Sequence, residues 1–197
     1  PRAANGWRPA RILTATRSNF NGTKMSGKTL MDARTTALNA LIATRKQGAW
    51  SDGILKELIA KDGLDRRDAA LASQLTYGVL QNRMLLDHYL NQTVTRGLSR
   101  QHPVTQDILR LGAYQILLLE KIPDSAAVNQ AVNQAKRYVN ERAGSLTNGA
   151  LRALVRGKGT LKAPKDLATK YSHPRELVEL LRENLGDTEL EAFLKAD

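Results

Sequence analysis

The side chains that most often carry out catalysis are few in this chain and lie far apart. Its three histidines are His88, His102 and His173, and none forms an i, i+4 pair with a second type of metal ligand. Ser125 and Ser172 lie in turn and helix-cap contexts, without the G-x-S-x-G sequence of a nucleophile elbow. The absence of cysteine excludes a thiolate zinc site and a cysteine nucleophile. We therefore predict surface or capping roles for these histidines and serines.

Two further motifs superficially resemble functional sites, but neither is interpreted as one. Segment 157–160, GKGT, lacks the G-x-x-x-x-G-K-[ST] pattern and the preceding strand of a phosphate-binding loop, so a linker is the better interpretation. Glu176, Glu179 and Glu183 recur at helical spacing, which is typical of a solvated helix face. The sequence therefore predicts that this chain performs no catalysis by itself and holds no metal or cofactor.

Charge gives a stronger indication of function. The chain has 30 Lys and Arg against 19 Asp and Glu, a formal net charge of +11 at pH 7. Residues 1–31 hold six basic and no acidic residues, residues 136–170 hold nine basic and two acidic, and residues 171–197 have a net charge of −4. Basic residues concentrated in two segments indicate an anionic partner, of which nucleic acid is the first candidate. No apolar run approaches the length of a membrane helix, so no membrane partner is predicted.

Apolar residues recur at helical spacing from about residue 32 onwards, and β-alternation is never longer than a few residues. We therefore predict an all-α bundle of about seven helices, with one or two more behind it. The residues that mark predicted helix ends are Asp32, Gly48, Gly63, Asp65, Pro103, Pro123, Asp124 or Ser125, Ser172 and Gly186, with a bend near Gly78 or Asn82.

The predicted helix after Pro103 is the centre of the bundle. Residues 108–119, ILRLGAYQILLL, are apolar on nearly all sides, which is typical of a helix buried among others. Gly112 predicts a close approach by another backbone, and Arg110 could serve structure as well as binding. After Pro123, a second helix combines a narrow apolar seam with a polar and basic face.

The predicted binding residues lie in and after this second helix. Lys and Arg on one face neutralise phosphates, and asparagine amides can contact sugars or base edges. The basic set is Lys136, Arg137, Arg142, Arg152, Arg156 and Lys158, and the amide set is Asn129, Asn133, Asn140 and Asn148. Looped or single-stranded RNA is the expected target because its bases are accessible. Tyr138 is the only aromatic residue of this segment, so extensive stacking is not expected; the alternative is that these charges only solubilise the protein.

Several of these blocks resemble the NusB-like RNA-binding domain. Segments 66–83 (RRDAALASQLTYGVLQNR), 108–136 and 145–157 (SLTNGALRALVRG) are similar to the family pattern in order and spacing. The departures are Gln74, Gln81, Leu146, Thr147 and Gly149. We expect Gly149 to loosen the start of its helix and Arg142 to lie in the turn before it. The resemblance implies a NusB-like helical bundle with extra C-terminal helices. It adds Arg34 to the RNA-binding residues, and Asn148, Leu151 and Arg152 match the family pattern.

The resemblance is closest to the domain that heads the small-subunit rRNA cytosine-5 methyltransferases of the RsmB/Sun/Fmu type. Segment 171–174, YSHP, is similar to the connection that leads to their catalytic domain, and the helical pattern runs to the last residue as in a fragment. The resemblance implies a cytoplasmic, non-catalytic part of a methyltransferase that recognises small-subunit rRNA. S-adenosylmethionine would bind only to a C-terminal catalytic domain outside this chain.

Two other functions stay open. A standalone NusB-type antitermination factor would bind leader RNA together with a ribosomal protein, whereas a helical protein-interaction module would carry its charge incidentally. The predicted domains are a disordered basic tail over 1–31, a NusB-like RNA-binding domain over 32–160, and a linker with the start of a connecting helical region over 161–197. The tail is interpreted as sequence outside the folded domain, with a transit peptide or an RNA-binding arm as alternatives.

Overall fold

A computed structural model describes residues 32–48 and 51–196, and the predicted disordered tail lies outside the described residues. All regular structure in these ranges is helical, which confirms the all-α prediction. The helices are α1 Ala33–Gln47, α2 Ser51–Asp62, α3 Arg66–Gln81, α4 Arg83–Asn91, α5 Pro103–Leu118, α6 Asp124–Tyr138, α7 Glu141–Arg156, α8 Leu167–Tyr171 and α9 Arg175–Ala196. A single 3-10 turn, Leu98–Arg100, precedes α5. No helix among the described residues is long and apolar enough to cross a membrane.

Helix ends agree with the prediction where a local residue sets them. The carboxylate of Asp32 accepts the backbone N–H of Thr35 at 2.9 Å, and Asp65 caps α3 in the same way. Gly48 ends α1 with φ at 58°, a left-handed conformation that glycine adopts without strain. The expected bend falls at Asn82, between α3 and α4.

Helix α5 lies at the centre of the bundle and contacts α1, α3, α4, α6 and α7. Its residues 107–116 are all buried, as its apolar pattern predicts. A Cβ added to Gly112 would lie 2.5 Å from Cδ1 of Leu151 on α7 and 3.4 Å from Cβ of Ala131 on α6. Gly112 is therefore a point of close approach to both helices, but the approaching atoms belong to the side chains of Leu151 and Ala131 and not, as predicted, to another backbone.

Charged side chains fix α5 against α1 and α4. Asp107 and Arg110 are each 5% exposed, and Nη1 of Arg110 lies 3.5 Å from Oδ1 of Asp107. Asp107 accepts a hydrogen bond from Nε of Arg45 on α1 at 2.8 Å. Arg110 donates through Nε and Nη2 to both carboxylate oxygens of Asp87 on α4, at 2.6 and 2.9 Å. Because buried charges are tolerated only when they are paired and hydrogen-bonded, Arg110 serves the fold.

Helices α6 and α7 form an antiparallel hairpin. Lys136, in the last turn of α6, pairs with Glu141 at the start of α7, with Nζ 2.9 Å from Oε2. At the opposite end, Asp124 in the first turn of α6 pairs with Lys158 just beyond α7, at 2.7 Å. These ion pairs show which ends of the two helices meet.

Helix α7 begins earlier than the sequence analysis placed it. Asn140 caps it by accepting the backbone N–H of Ala143 at 2.8 Å. Arg142 and Gly144 therefore lie in the first turn of α7 rather than in a connecting turn. Gly149 lies in the middle of the helix, so the expectation that it loosens the helix start was wrong.

The C-terminal helices form a second apolar cluster next to α4. Its buried members are Ala168 of α8 and Val178, Leu190 and Leu194 of α9. Gly186, with φ at 73° and ψ at 167°, interrupts α9 where the sequence predicted a break.

Hydrogen bonds attach the segment before α8 and α9 to α4. Gln92 donates from Nε2 to the carbonyl of Lys162 at 2.9 Å and accepts the N–H of Lys162 at 3.0 Å. The hydroxyl of Ser172 accepts the backbone N–H of Leu85 at 3.1 Å, so it satisfies a free donor in the first turn of α4. From its sequence context, Ser172 is predicted to cap the following helix instead. These bonds cross the domain division predicted at residue 160.

Two glycine-to-alanine variants should change the free energy of unfolding in opposite directions. A Cβ at Gly78 would lie 2.0 Å from Cζ of Tyr114, whose ring is part of the core and would have to shift. A Cβ at Gly149 meets nothing within 4 Å. We expect Gly78→Ala to lower the free energy of unfolding by about 1–3 kcal/mol. Gly149→Ala should raise it by about 0.5–1 kcal/mol, because alanine is the better helix former. Urea titration measures both, and effects of the same sign would contradict this packing.

Candidate functional site

The α6–α7 hairpin carries five of the predicted cations on its exposed surface. Lys136 and Arg137 lie in the last turn of α6, and Arg142 lies in the first turn of α7. Arg152 and Arg156 are exposed one helical turn apart in the second half of α7. The hairpin thus has positive charge along most of its length.

Most of these cations keep their charge available to a ligand. Arg142 and Arg156 form no ion pair with a carboxylate of residues 32–48 or 51–196. Arg152 donates from Nε to Oδ1 of Asn148 at 2.8 Å, and this neutral partner leaves its charge uncompensated. Lys136 is paired with Glu141, but the pair is exposed, where such contacts contribute roughly 0–1 kcal/mol. The surface can therefore attract phosphate groups.

A groove of about 400 Å³ runs between the two helices. Its walls are Asn129, Val132, Asn133 and Lys136 from α6, and Gly144, Ser145 and Asn148 from α7. Three of the four asparagines predicted to contact RNA therefore line one groove, whereas Asn140 caps α7. Amide groups both donate and accept hydrogen bonds, which suits base edges and ribose hydroxyls.

Gly144 and Ser145 are groove residues that the sequence analysis did not include. A Cβ added to Gly144 would lie 2.5 Å from Cγ of Lys136, so the aliphatic stem of Lys136 lies across bare backbone. The available signal was Asn140 followed by Glu141, a helix start with an N-cap and an acidic first turn. Placing the start of α7 there would have put Gly144 and Ser145 on the helix beside α6.

Tyr138 lies at the end of α6 beside Arg137. Burial raises the pKa of Tyr138 above its usual 10.0, and the positive charge of Arg137 acts in the opposite direction. The phenol therefore stays neutral at physiological pH. The guanidinium carbon of Arg137 lies 5.7 Å from the ring centroid, a cation–π contact that helps to position this side chain.

Lys158 and Arg34 are placed differently from the other predicted residues. Lys158 contacts both carboxylate oxygens of Asp124, at 2.7 and 2.9 Å. This pair lies at the other end of α6 from Lys136, and a helix of 15 residues is about 22 Å long. Arg34 is half-buried on α1, and its Nε donates to Oε1 of Gln115 on α5 at 2.7 Å. Roles for these two residues in binding stay predictions.

The histidines have structural partners. The ring Nδ1 of His102 accepts the backbone N–H of Val104 at 3.3 Å at the start of α5, as a capping residue does. The Nε2 atom of His88 lies 2.7 Å from the carbonyl oxygen of Lys162. Within the described ranges, no group of three or more His, Cys, Asp or Glu side chains could hold a metal ion.

Residues 31–156, which span α1 to α7 and the whole hairpin, match the model of the NusB family. The chain belongs to the NusB family. The NusB-like bundle expected from the sequence is thereby confirmed. The α6–α7 hairpin and its groove lie within the matched region, whereas α8 and α9 follow it.

Two relatives extend the likeness beyond the NusB family region. "Probable ribosomal RNA small subunit methyltransferase B" of Bacillus subtilis is 38% identical over 151 residues, which cover 74% of this chain and 34% of that protein. The protein of the same name in Synechocystis is 31% identical over 169 residues, which cover 83% of this chain and 38% of that protein. The chain therefore spans little more than a third of the length of these relatives.

A solved structure shows the same fold in a shorter protein. The crystal structure of "Antitermination Factors NusB and NusE in complex with dsRNA" contains a chain similar to this one, with a TM-score of 0.59 and 22% identity. The similarity covers 94% of that chain and 64% of this one. More than a third of the present chain thus lies outside the shared fold.

Two arginine-to-methionine variants should separate structural from surface roles. Arg34→Met removes a half-buried hydrogen bond between α1 and α5 and should lower the free energy of unfolding by about 1 kcal/mol. The control Arg152→Met removes an exposed contact within α7 and should change it by less than about 0.5 kcal/mol. Thermal and urea unfolding of both variants provide the comparison. Equal losses would show that Arg34 does not hold α1 on α5.

Proposed function

We propose that this chain binds RNA through the α6–α7 hairpin, as the N-terminal RNA-recognition part of an S-adenosylmethionine-dependent rRNA (cytosine-5) methyltransferase. The observation that carries the proposal is the set of cations Arg142, Arg152 and Arg156 on a hairpin whose groove is lined with amides. Cations provide affinity for the phosphate backbone, and amides contact bases. Small-subunit rRNA is the proposed target and the cytoplasm the proposed location.

The relatives support the methyltransferase part of the proposal. Both proteins named for small-subunit rRNA methylation match more of this chain than the family region 31–156 contains. Helices α8 and α9 follow the family region, and hydrogen bonds of Ser172 and Gln92 attach this part of the chain to α4. A catalytic domain that followed α9 would thus be joined to the RNA-binding hairpin through packed helices rather than through a free linker.

The described residues do not themselves fit S-adenosylmethionine. They form helices only, and they contain no glycine-rich turn from a strand into a helix of the kind that holds nucleotide cofactors. We assign the cofactor, and the methyl transfer that it supplies, to the catalytic domain of the whole protein. The contribution of this chain is to bind and orient the RNA.

The second candidate is a NusB-type antitermination factor that binds leader RNA together with a ribosomal protein. It is favoured by the fold shared with the NusB chain crystallised with NusE and dsRNA. The packed helices α8 and α9 favour the methyltransferase, because 94% of that NusB chain matches only 64% of this one, whereas the two relatives named for rRNA methylation match 74% and 83% of it.

RNA binding should depend on salt through the hairpin arginines. The binding constant K falls as salt concentration rises, and each phosphate that the protein no longer neutralises makes the negative slope of log K against log salt concentration less steep by about 0.7 for a single strand. With a small-subunit rRNA hairpin, we expect the triple variant Arg142→Gln, Arg152→Gln, Arg156→Gln to make this slope less steep by about 2. The triple control Lys56→Gln, Lys61→Gln, Arg67→Gln removes the same exposed charge from α2 and α3. Equal reductions in the two triple variants would contradict a binding surface on the hairpin.

Deleting the gene distinguishes the two candidate functions. We expect one cytosine of the small-subunit rRNA to lose its 5-methyl group, detected by bisulfite sequencing of rRNA from the deletion strain. Restoring the gene should restore the methyl group, whereas the triple arginine variant should restore it only in part. An unchanged methylation pattern together with premature termination in rRNA leader regions would favour the antitermination factor instead.

A further inference from the structure

The groove between α6 and α7 has a hydrogen-bonding character that the structure fixes in part. A guanidinium group can only donate hydrogen bonds, so the amide atom of Asn148 that faces Nε of Arg152 must be the oxygen. The amide nitrogen of Asn148 is therefore the group left to donate to a ligand. Ser145 donates its hydroxyl proton to the carbonyl oxygen of Glu141 at 3.2 Å. Asn129 and Asn133, one turn apart on α6, supply two further amides.

The groove itself suits a base better than a phosphate. The backbone N–H groups of its walls are already bonded and cannot bind an anion: most lie within the helices, and the N–H of Gly144, in the first turn of α7, donates to the carbonyl of Asn140 at 3.1 Å. The one cation in the lining, Lys136, is paired with Glu141 in an exposed contact, and the arginines lie outside the lining. What remains inside is neutral amide, hydroxyl and the apolar side chain of Val132. A volume of about 400 Å³ lies within the usual range of small-ligand pockets, roughly 300–1,000 Å³.

We propose that this groove is a pocket for one unpaired nucleobase with a keto edge, uracil or guanine. The pocket deepens the proposed RNA-binding function and rests on it. Asn148 donates to the keto oxygen, Asn129 or Asn133 bonds the adjoining edge of the base, and Val132 contacts its face. Arg142 and Arg152 bind the flanking phosphates. Cytosine and adenine carry an amino group at the position of the keto oxygen, so they leave the Asn148 donor without a partner.

The test uses the full chain and RNA hairpins that share one stem and differ in a six-nucleotide loop. The loops are all-uridine, all-cytidine and abasic. We expect the wild-type protein to bind the uridine loop about tenfold more tightly than the other two. Asn129→Ala with Asn133→Ala should reduce uridine-loop binding about tenfold and leave abasic-loop binding unchanged. Both positions are exposed and alanine favours helix, so the double variant should fold. Gln130→Ala, an exposed amide of α6 outside the groove lining, is the control.

The outcomes separate the pocket from the wider function. Loss of the uridine preference in the double variant, but not in the control, supports the pocket. Equal binding of all three loops by the wild-type protein overturns the pocket. An equal loss of binding to the uridine and abasic loops in the double variant overturns it too. In either case, salt-dependent binding would still support the RNA-binding function. Undetectable binding of every hairpin by the wild-type protein overturns both proposals.

Discussion

The buried charge pair of α5 is the constraint on which the rest of the molecule depends. Burying Asp107 and Arg110 removes two charges from water, a cost that is compensated only if each finds a well-placed partner. Arg45 on α1 and Asp87 on α4 are those partners, and their short hydrogen bonds permit one rotation of α5 about its axis. Replacement of Arg45 or Asp87 by an apolar residue would leave one of the two buried charges with little more than the 3.5 Å contact between Asp107 and Arg110, and should destabilise the fold.

That rotation determines where the candidate binding surface lies. With its charged side against α1 and α4, α5 presents Gly112 to the other side, where Leu151 and Ala131 approach closely. The apolar faces of α6 and α7 are thereby used against α5, and their polar faces form the walls of a groove open to solvent. The candidate binding surface is thus built on rigid helices, which hold its amides in fixed positions.

Much of the fold followed from local sequence signals, and the parts that did not depended on tertiary partners. Asp32, Gly48, Asp65 and Asn82 act on their own turns, so their effect on helix ends could be predicted from their neighbours. The apolar run of α5 likewise indicated a central position. The start of α7 was misplaced because glycine is typical of helix ends, which suggested that α7 begins after Gly144. The actual N-cap of α7 is Asn140, four residues earlier.

The residues of the candidate site could be proposed from the sequence, whereas their tertiary partners could not. Charge and spacing indicated the α6–α7 segment, but they could not reveal that Lys158 faces Asp124 or that Arg34 is bonded to Gln115, because those partners are distant in sequence.

Photocrosslinking tests the central claim most directly, with 4-thiouridine placed in the loop of a small-subunit rRNA hairpin and crosslinked peptides identified by mass spectrometry. RNA bound to the hairpin predicts crosslinks within residues 124–156. Crosslinks confined to residues 33–91 or 167–196 would contradict it.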